Sequence, residues 1–358
     1  MKLEINLLII EDEPEQIQMY QDVIESFNKK NEHYIIKTEI CKTYAEGQSA
    51  LYSPNYDAAI IDLKLSNASE LEGRSLVLTI YQKLKIPVFV YSGSISHIND
   101  IPENIFFKKH SRTDDLKSIL GEIVSIFSTG ITSYLRQNGL IDETLTKIFW
   151  THLSQDLNIW TQSNNPKTLL RYILSLFQEY LDIDIAGNFE DYHPQEIYLT
   201  PPVKVHLHTG DLVKIKDELF LLLTPACDMV LMERDKKTYR KAEKIILASI
   251  YDFDVNAFCK NKNGEIDKGK ITEYIKNINY RYHYLPPFQK NNGFLIDFQS
   301  LRSVREEEIT YRIATISSSF IKDIISRFSS YYSRQGQPTF NQNQLIESIY
   351  TASKVKKN

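Results

Sequence analysis

The sequence predicts an α/β fold for the first third of the chain, a doubly wound parallel sheet, followed by helices and then a mixed, strand-rich α+β part. Short apolar runs without polar alternation, such as INLLII (5–10) and AAIID (58–62), are typical of parallel strands that are buried on both faces. Helical patterns, such as the one across residues 16–27, separate these runs. Because strand–helix–strand crossovers are right-handed, the helices should cover both faces of the sheet.

Five predicted strands alternate with helices along residues 1–127. The other strands are predicted at IIKTEI (35–40), IPVFVYS (86–92) and IFFK (105–108), and the other helices at 43–53, 74–84 and 114–127. Between Ser92 and Lys109 the segment SISHINDIPEN is short and offers little helix. We therefore expect the helix of this crossover to be absent or remodelled.

The predicted secondary structure of the remaining residues changes from helices to a loop and then to strands. Residues 140–181 have a helical pattern, residues 183–210 are loop-like, and GDLVKIKDELFLLLTPACD (210–228) is typical of a β-hairpin that turns at 216–218. Further strands are predicted at 244–253, 293–298 and 309–316, with helices at 270–278 and 317–336. These patterns predict an α/β domain at 1–127, a helical connector at 128–182, a strand-rich α+β domain at 183–340 and a loose tail at 341–358.

Composition restricts the class of protein. A chain of 358 residues usually holds two or three domains, and 42% hydrophobic with 25% charged residues is ordinary for a soluble protein. Residues 1–125 carry 13 Lys and Arg against 19 Asp and Glu, which makes this part a poor nucleic-acid binder. The three cysteines are far apart, the N-terminus lacks the layout of a signal peptide, and no apolar run reaches membrane-spanning length. We expect a cytoplasmic protein.

Polar residues follow several of the predicted strands at their carboxyl ends. Glu11 and Asp12 follow the first strand, Asp62 the third and Ser92 the fourth, while Lys109 follows the fifth. In doubly wound sheets these ends meet at one edge, where ligands bind. Carboxylates brought together repel one another unless a cation shares the site, and carboxylate oxygens suit Mg²⁺. With Mg²⁺ bound, Asp62 could act as a nucleophile toward phosphorus.

Residues 1–127 as a whole resemble the CheY-like receiver domain of two-component response regulators. The matching pieces are IIEDEP (9–14), YDAAIIDLKL (56–65), Gly73, IPVFVYSG (86–93) and FFKKHS (106–111). The resemblance implies a flavodoxin-like (βα)5 fold for this part. It also implies that Asp62 is the phosphoacceptor, that Glu11 and Asp12 are the Mg²⁺-binding acid pair, and that the Lys64 carbonyl is a backbone metal ligand.

The same resemblance assigns the remaining site residues and the partner. Ser92 takes the position of the switch hydroxyl, with Tyr91 beside it, and Lys109 is the candidate for the phosphate-contacting lysine, with Lys108 as its rival. A histidine kinase or a phosphotransfer protein would donate the phosphoryl group. Response regulators of this kind signal through an effector, with homodimerisation as one option for this chain.

The second half carries none of the usual output motifs. A helix-turn-helix with a basic recognition helix, a GGDEF-like motif, a Walker A loop and HExxH are all missing from it, so we expect output by protein–protein interaction. One alternative is a phosphorylation-gated hydrolase or nuclease that uses Cys227 with His206, His208 or His283. A small buried core thiol is the commoner meaning of such a cysteine. A second alternative is nucleic-acid binding through KKTYRKAEK (236–244), although a solvated face is the commoner meaning of such a run.

Overall fold

The computed structural model divides the chain into two compact units, Met1–Glu190 and Asp191–Asn358. It describes residues 2–51, 56–65, 70–83, 85–93, 95–136, 138–161, 165–182, 187–188, 190–234, 237–288, 292–335 and 341–355. The domain boundaries predicted at 127 and 182 fall inside the first unit and stay a prediction.

A five-stranded parallel sheet forms the centre of the described part of the first unit. Its elements are β1 (Leu3–Ile10), α1 (Pro14–Lys30), β2 (Tyr34–Cys41), α2 (Tyr44–Leu51), β3 (Ala58–Ile61), α3 (Glu70–Lys83), β4 (Val88–Tyr91), β5 (Phe107–His110) and α4 (Leu116–Phe127). The strand order is β2-β1-β3-β4-β5, and all four pairings are parallel. The predicted doubly wound fold is confirmed.

Alternate residues of each strand build two separate cores on the two faces of this sheet. Leu8 and Ile10 of β1 pack with α2 and α3, whereas Leu7 and Ile9 pack with α1 and α4. Successive strand side chains point to opposite faces, so a strand that is apolar throughout can fill both cores. This explains why the strands lack the polar alternation of a half-exposed sheet.

The crossover from β4 to β5 departs from the strand–helix alternation. Its described residues contain one short 3-10 turn, Ile95–Ile98, which buries Ile98 against the α2–α3 face; Ser94 lies outside the described residues. The prediction that the helix here is absent or remodelled is therefore confirmed. β4 and β5 extend over Val88–Tyr91 and Phe107–His110, so their ends differ from the predicted ones by one or two residues.

Helices continue the first unit after α4. They are α5 (Ile131–Leu135), α6 (Leu140–Ile148), α7 (Ser154–Thr161) and α8 (Pro166–Leu181), with a π turn at Phe149–Leu153 between α6 and α7. The Arg136 guanidinium, directly after α5, lies 3.2 Å from Oδ1 of Asp57, the residue before β3. Asp57 is buried and its other oxygen accepts a hydrogen bond from the Asn6 amide. This ion pair thus attaches the helices to the amino-terminal ends of the strands.

The described residues of the second unit form a seven-stranded sheet, a small two-stranded sheet and helices. Its elements are β6 (Tyr198–Leu199), β7 (Asp211–Ile215), β8 (Glu218–Leu222), α9 (Ala226–Met229), β9 (Leu231–Arg234), β10 (Lys237–Arg240), β11 (Ile245–Asp252), α10 (Val255–Phe258), α11 (Lys268–Ile275), β12 (Tyr282–Leu285), β13 (Phe294–Val304), β14 (Tyr311–Ile316), α12 (Ser318–Ser333) and α13 (Gln342–Val355). The larger sheet has the order β12-β13-β11-β8-β7-β14-β6, and the pairings between these strands are antiparallel. The predicted strand-rich α+β fold is confirmed.

Helix α12 covers one face of this sheet. Its Ile324 is fully buried, and Phe320 and Phe328 pack beside it on the core that includes Phe298. The apolar face of this helix, which was predicted at 317–336, therefore packs in the core. The opposite face has its own apolar cluster around Val213 and Leu247.

Three further segments of the second unit contain regular secondary structure. RYHYLPPF (281–288) contains β12, an edge strand of the seven-stranded sheet. The basic run 236–244 contains β10, which pairs with β9. The tail contains α13, whose apolar residues at positions 345, 346, 349 and 350 have the spacing of a helix face and are exposed.

His283 is a buried titratable group beneath α12. It lies on β12, and its Nδ1 is 3.9 Å from Oδ2 of Asp323 on α12. The Arg327 guanidinium of the same helix donates hydrogen bonds to the carbonyls of Asn279 and Tyr282. Burial, and to a smaller extent the charge of Arg327, lowers the pKa of His283 to about 3.

No single helix in the described ranges is long and apolar enough to cross a membrane. One bent pair of helices, Leu116–Phe127 with Ile131–Leu153, has the length and composition of a membrane span, by those two criteria alone.

We expect acid to destabilise the second unit through His283. The unfolded chain binds a proton on this histidine near pH 6.5, but the folded chain binds it only near pH 3, so the free energy of unfolding falls as the pH drops below about 6.5. At pH 5 the loss amounts to about 2 kcal/mol. Denaturant unfolding at pH 7 and pH 5 should show a smaller pH effect in His283→Asn than in the wild type. His206→Asn, at an exposed position, should keep the wild-type pH effect; an equal pH effect in all three proteins would contradict the assignment.

Candidate functional site

Strand register brings three carboxylates together at the carboxyl end of the parallel sheet. Ile10 of β1 lies opposite Ile61 of β3, so Glu11 and Asp62 are the next residues on two neighbouring strands. The Asp62 amide donates to the Ile10 carbonyl at 2.9 Å, which continues the pairing beyond the strands. Ligand oxygens of Glu11, Asp12 and Asp62 all lie within 4.8 Å of one another. The three acids therefore lie close together, as the strand ends predicted.

Burial makes this cluster electrostatically costly. The side chains of Glu11 and Asp62 are 0% exposed. Burial, and to a smaller extent the charge of Asp62, raises the pKa of Glu11 to about 7, although Glu11 Oε1 accepts hydrogen bonds from the Asp12 and Glu13 amides at 3.1 and 3.0 Å. Because water is excluded, a nearby positive charge stabilises the ionised cluster more here than on the surface.

Arg112, in the loop after β5, supplies a positive charge to the cluster. Its Nη2 lies 2.7 Å from Asp62 Oδ2 and 3.2 Å from Glu11 Oε2. Its Nη1 donates to the carboxylate of Glu13. One guanidinium therefore contacts three carboxylates, two of which are fully buried.

Hydrogen bonds fix the loop that carries Arg112. The buried hydroxyl of Tyr91, at the end of β4, lies 2.9 Å from the carbonyl of Arg112 and 3.1 Å from that of Asp114. The Ser111 amide donates to Asp114 Oδ2 at 2.9 Å. The next residue, Asp115, caps α4 by accepting from the Lys117 amide. The backbone of Arg112 is thus held from both sides, which reduces the entropy lost when its side chain pairs with the acids.

The two lysines predicted for the site lie within β5, not after it, and they contact other groups. Ser92 follows β4 and is fully buried. The ammonium of Lys109 donates to the Ile101 carbonyl at 2.6 Å, and that of Lys108 pairs with Glu122 of α4 at 2.6 Å. The side chain of Lys64 is exposed two residues after Asp62, and the metal role of its carbonyl stays a prediction.

The carboxylate cluster fits a hard divalent cation. Among the described residues, no hydrogen-bond donor contacts the buried Oδ1 of Asp62. Glu11 and Asp12 place further carboxylate oxygens beside it. Mg²⁺ prefers oxygen ligands and keeps several waters, so a pocket with two or three carboxylates suits it.

Sequence reasoning missed two residues of this site. Arg112 lies in a five-residue loop without periodicity, and only the excess of acids at the sheet edge implied that a cation was needed. Tyr20 of α1 is fully buried and packs edge-to-face on Tyr91, with ring centroids 6.0 Å apart. Burial, with the charges of Glu11 and Asp62, raises the pKa of Tyr20, so its phenol stays neutral near the acids.

The candidates in the second unit do not assemble into a described catalytic cluster. Cys227, interpreted as a buried thiol or a nucleophile, is exposed, because it lies in the short helix α9 after β8 rather than in the strand. Its sulfur lies 3.7 Å from Asp228 Oδ1, and none of the described histidines is hydrogen-bonded to it. The guanidinium of Arg240, in the basic run 236–244, is engaged internally with the Leu207 carbonyl and Glu306.

No protein-family model and no curated protein matches the chain. Solved structures match its first part. The receiver domain of PhyR from Erythrobacter litoralis is 20% identical and covers 35% of this chain and 91% of its own, with a TM-score of 0.28. The receiver domain of a Francisella response regulator is 16% identical. It covers 35% of this chain and 98% of its own, with a TM-score of 0.27.

A third similar structure is the response regulator TrrA from Thermotoga maritima, in complex with Mg(2+)-BeF. It is 17% identical and covers 35% of this chain and 99% of its own, with a TM-score of 0.27. Each of these three structures covers 35% of this chain. The strand order and the parallel pairings given above define the fold of this part.

We expect Mg²⁺ to stabilise the protein through the three carboxylates. Binding to the folded state alone raises the free energy of unfolding by about 2.7 kcal/mol at a Mg²⁺ concentration 100 times the dissociation constant. Asp12→Asn removes a ligand and should weaken binding by about tenfold or more. Thermal unfolding with increasing Mg²⁺ measures both effects. Glu15→Gln makes a similar charge change at an exposed position nearby and should behave as the wild type; equal stabilisation of Asp12→Asn would contradict the site.

Proposed function

We propose that this chain is a response regulator in which residues 1–127 form a receiver that is phosphorylated on Asp62 in the presence of Mg²⁺. The observation that carries the proposal is the meeting of Glu11, Asp12 and Asp62 within 4.8 Å at the carboxyl edge of a β2-β1-β3-β4-β5 parallel sheet. The buried Asp62 Oδ1 without a described hydrogen-bond donor supports a role as nucleophile or metal ligand. A merely solvated acidic edge would leave these carboxylates exposed.

The proposed reaction transfers one phosphoryl group to a carboxylate. An oxygen of Asp62 attacks phosphorus, the bond from phosphorus to the donor's leaving group breaks, and the leaving group keeps the electron pair. With acetyl phosphate the products are an aspartyl phosphate and acetate, so no additional proton or oxidant is required. In a phosphorelay the donor would be a phosphohistidine of a kinase or a phosphotransfer protein.

The chain's own residues prepare Asp62 for this step. Pairing with Ile10 fixes the backbone of Asp62, and the two hydrogen bonds from backbone amides fix Glu11 beside it. Glu11, Asp12 and Asp62 would hold the Mg²⁺, which supplies positive charge against the phosphoryl oxygens. Ser92, fully buried at the end of β4, is the proposed switch hydroxyl next to the Asp62 strand.

Output through the second unit, by protein–protein interaction, belongs to the same proposal. The described catalytic candidates do not cluster there, and Arg240 of the basic run is bound internally. These two observations weigh against the hydrolase and nucleic-acid alternatives respectively. We therefore favour output through a surface of the second unit that binds a protein partner.

Incubation with acetyl phosphate and Mg²⁺ should add the mass of one phosphoryl group to the wild-type protein. Asp62→Asn should gain none, because an amide nitrogen or oxygen is a far weaker nucleophile than a carboxylate. Intact-mass spectrometry measures the gain directly, and chelation of Mg²⁺ should slow it strongly.

Asp22→Asn provides a matched control for this experiment. Asp22 is an exposed aspartate of α1, and its substitution makes the same chemical change away from the pocket. It should gain mass at the wild-type rate. A gain that persists in Asp62→Asn, or a wild-type protein that stays unmodified while a known receiver is phosphorylated in parallel, would overturn the proposal.

A further inference from the structure

We propose that Arg112, and not Lys109, is the cation that pairs with the phosphoryl group on Asp62; this inference rests on the function proposed above and names a further catalytic residue for it. Arg112 Nη2 contacts the reacting carboxylate at 2.7 Å. Sequence reasoning placed a lysine in this role. The geometry points to the arginine instead.

The two lysines of β5 pair with groups outside the acid cluster. Lys109 donates its ammonium to the Ile101 carbonyl, in the crossover between β4 and β5, and the Lys109 amide donates to Glu103 of the same crossover. Lys108 points to the other face of the sheet and pairs with Glu122. Adjacent strand residues point to opposite faces, so these two side chains diverge, and each has a partner of its own.

Arg112 is placed by the loop rather than by the strand. Asp62 and Glu11 on two strands, and Glu13 before α1, surround its guanidinium, and the side chain is 23% exposed. The hydroxyl of Tyr91 contacts the Arg112 carbonyl and so fixes the start of the side chain. The guanidinium is therefore directed into the cluster without a large loss of freedom on pairing.

The chemistry of a guanidinium matches both states of the site. Before transfer it offsets the repulsion among Glu11, Asp62 and Glu13, and it contacts one oxygen of Asp62 while Oδ1 is left without a described donor. After transfer the group on Asp62 carries roughly two negative charges, and a planar fork of N–H donors suits phosphoryl oxygens. A lysine ammonium is a point charge and lacks this fork.

The test compares four full-length proteins: wild type, Arg112→Ala, Arg112→Lys and Lys109→Ala. Intact mass is followed over time with acetyl phosphate and Mg²⁺. Arg112→Ala should slow mass gain about tenfold or more, as the loss of a charge-stabilising group does elsewhere. Arg112→Lys should recover part of the rate, because it keeps the charge without the fork. Lys109→Ala should stay within about threefold of the wild type.

Calorimetric titration of the unphosphorylated proteins with Mg²⁺ gives a second readout that misfolding cannot imitate. Arg112→Ala removes the positive charge from the carboxylates, so Mg²⁺ should bind more tightly, by about threefold or more. Loss of folding would abolish binding instead. Weaker or unchanged binding in a folded Arg112→Ala protein would contradict the guanidinium's place among the acids.

The outcomes separate this inference from the proposed function. If the wild type gains mass, Lys109→Ala is slow and Arg112→Ala reacts at the wild-type rate, the inference alone is overturned. If the wild type gains no mass, the proposed function fails and the inference fails with it. A slow Arg112→Ala beside a fast Lys109→Ala supports both.

Discussion

Repulsion among buried carboxylates is the constraint on which the first unit depends. Parallel pairing of β1 with β3 forces Glu11 and Asp62 to be neighbours, and neither side chain contacts solvent. In a medium of low effective dielectric constant such a pair is stable only with a proton or a cation nearby. The raised pKa of Glu11, to about 7, reflects this cost. Arg112 offsets part of it, and a metal ion would offset more, so the folded sheet edge itself creates the demand for a cation.

The sequence predicted the acid cluster because strands impose a simple geometry. An apolar run of strand length, ended by acids, fixes both the strand and the place of the acids, as INLLII-ED and AAII-D illustrate. The partner of Asp62 could not be predicted in the same way. Arg112 reaches the acids through a loop whose shape depends on the Tyr91 hydroxyl and on Asp114, which are contacts between distant positions of the chain. Lys109 was chosen from resemblance, and its strand position gives its ammonium a different partner.

In the second unit, periodicity predicted the main strands but not the short or polar elements. The hairpin of β7 and β8 turns at Lys216, whose positive φ of 55° matches the predicted turn at 216–218. β10, in contrast, lies in a run of basic residues that has no apolar alternation, and pairing with β9 makes it a strand. The environment of His283 likewise depends on α12, which begins 35 residues later in the chain. Burial by such distant elements leaves no trace in a local pattern.

Strand β3 shows how charge can fix register as well as chemistry. It is four residues long, fully buried, and has an aspartate at each end, Asp57 before it and Asp62 after it. Each aspartate pairs with an arginine from a later segment, Arg136 at one edge of the sheet and Arg112 at the other. A shift of β3 by one residue would move both carboxylates away from their arginines and leave buried charges unpaired, which costs several kcal/mol for each ion. Apolar packing alone would resist that shift less strongly, since alanine and isoleucine occur in adjacent pairs along AAII. The two ion pairs therefore fix the register of β3, which keeps Asp62 beside Glu11. The chemistry proposed for the site requires this pairing of the two carboxylates.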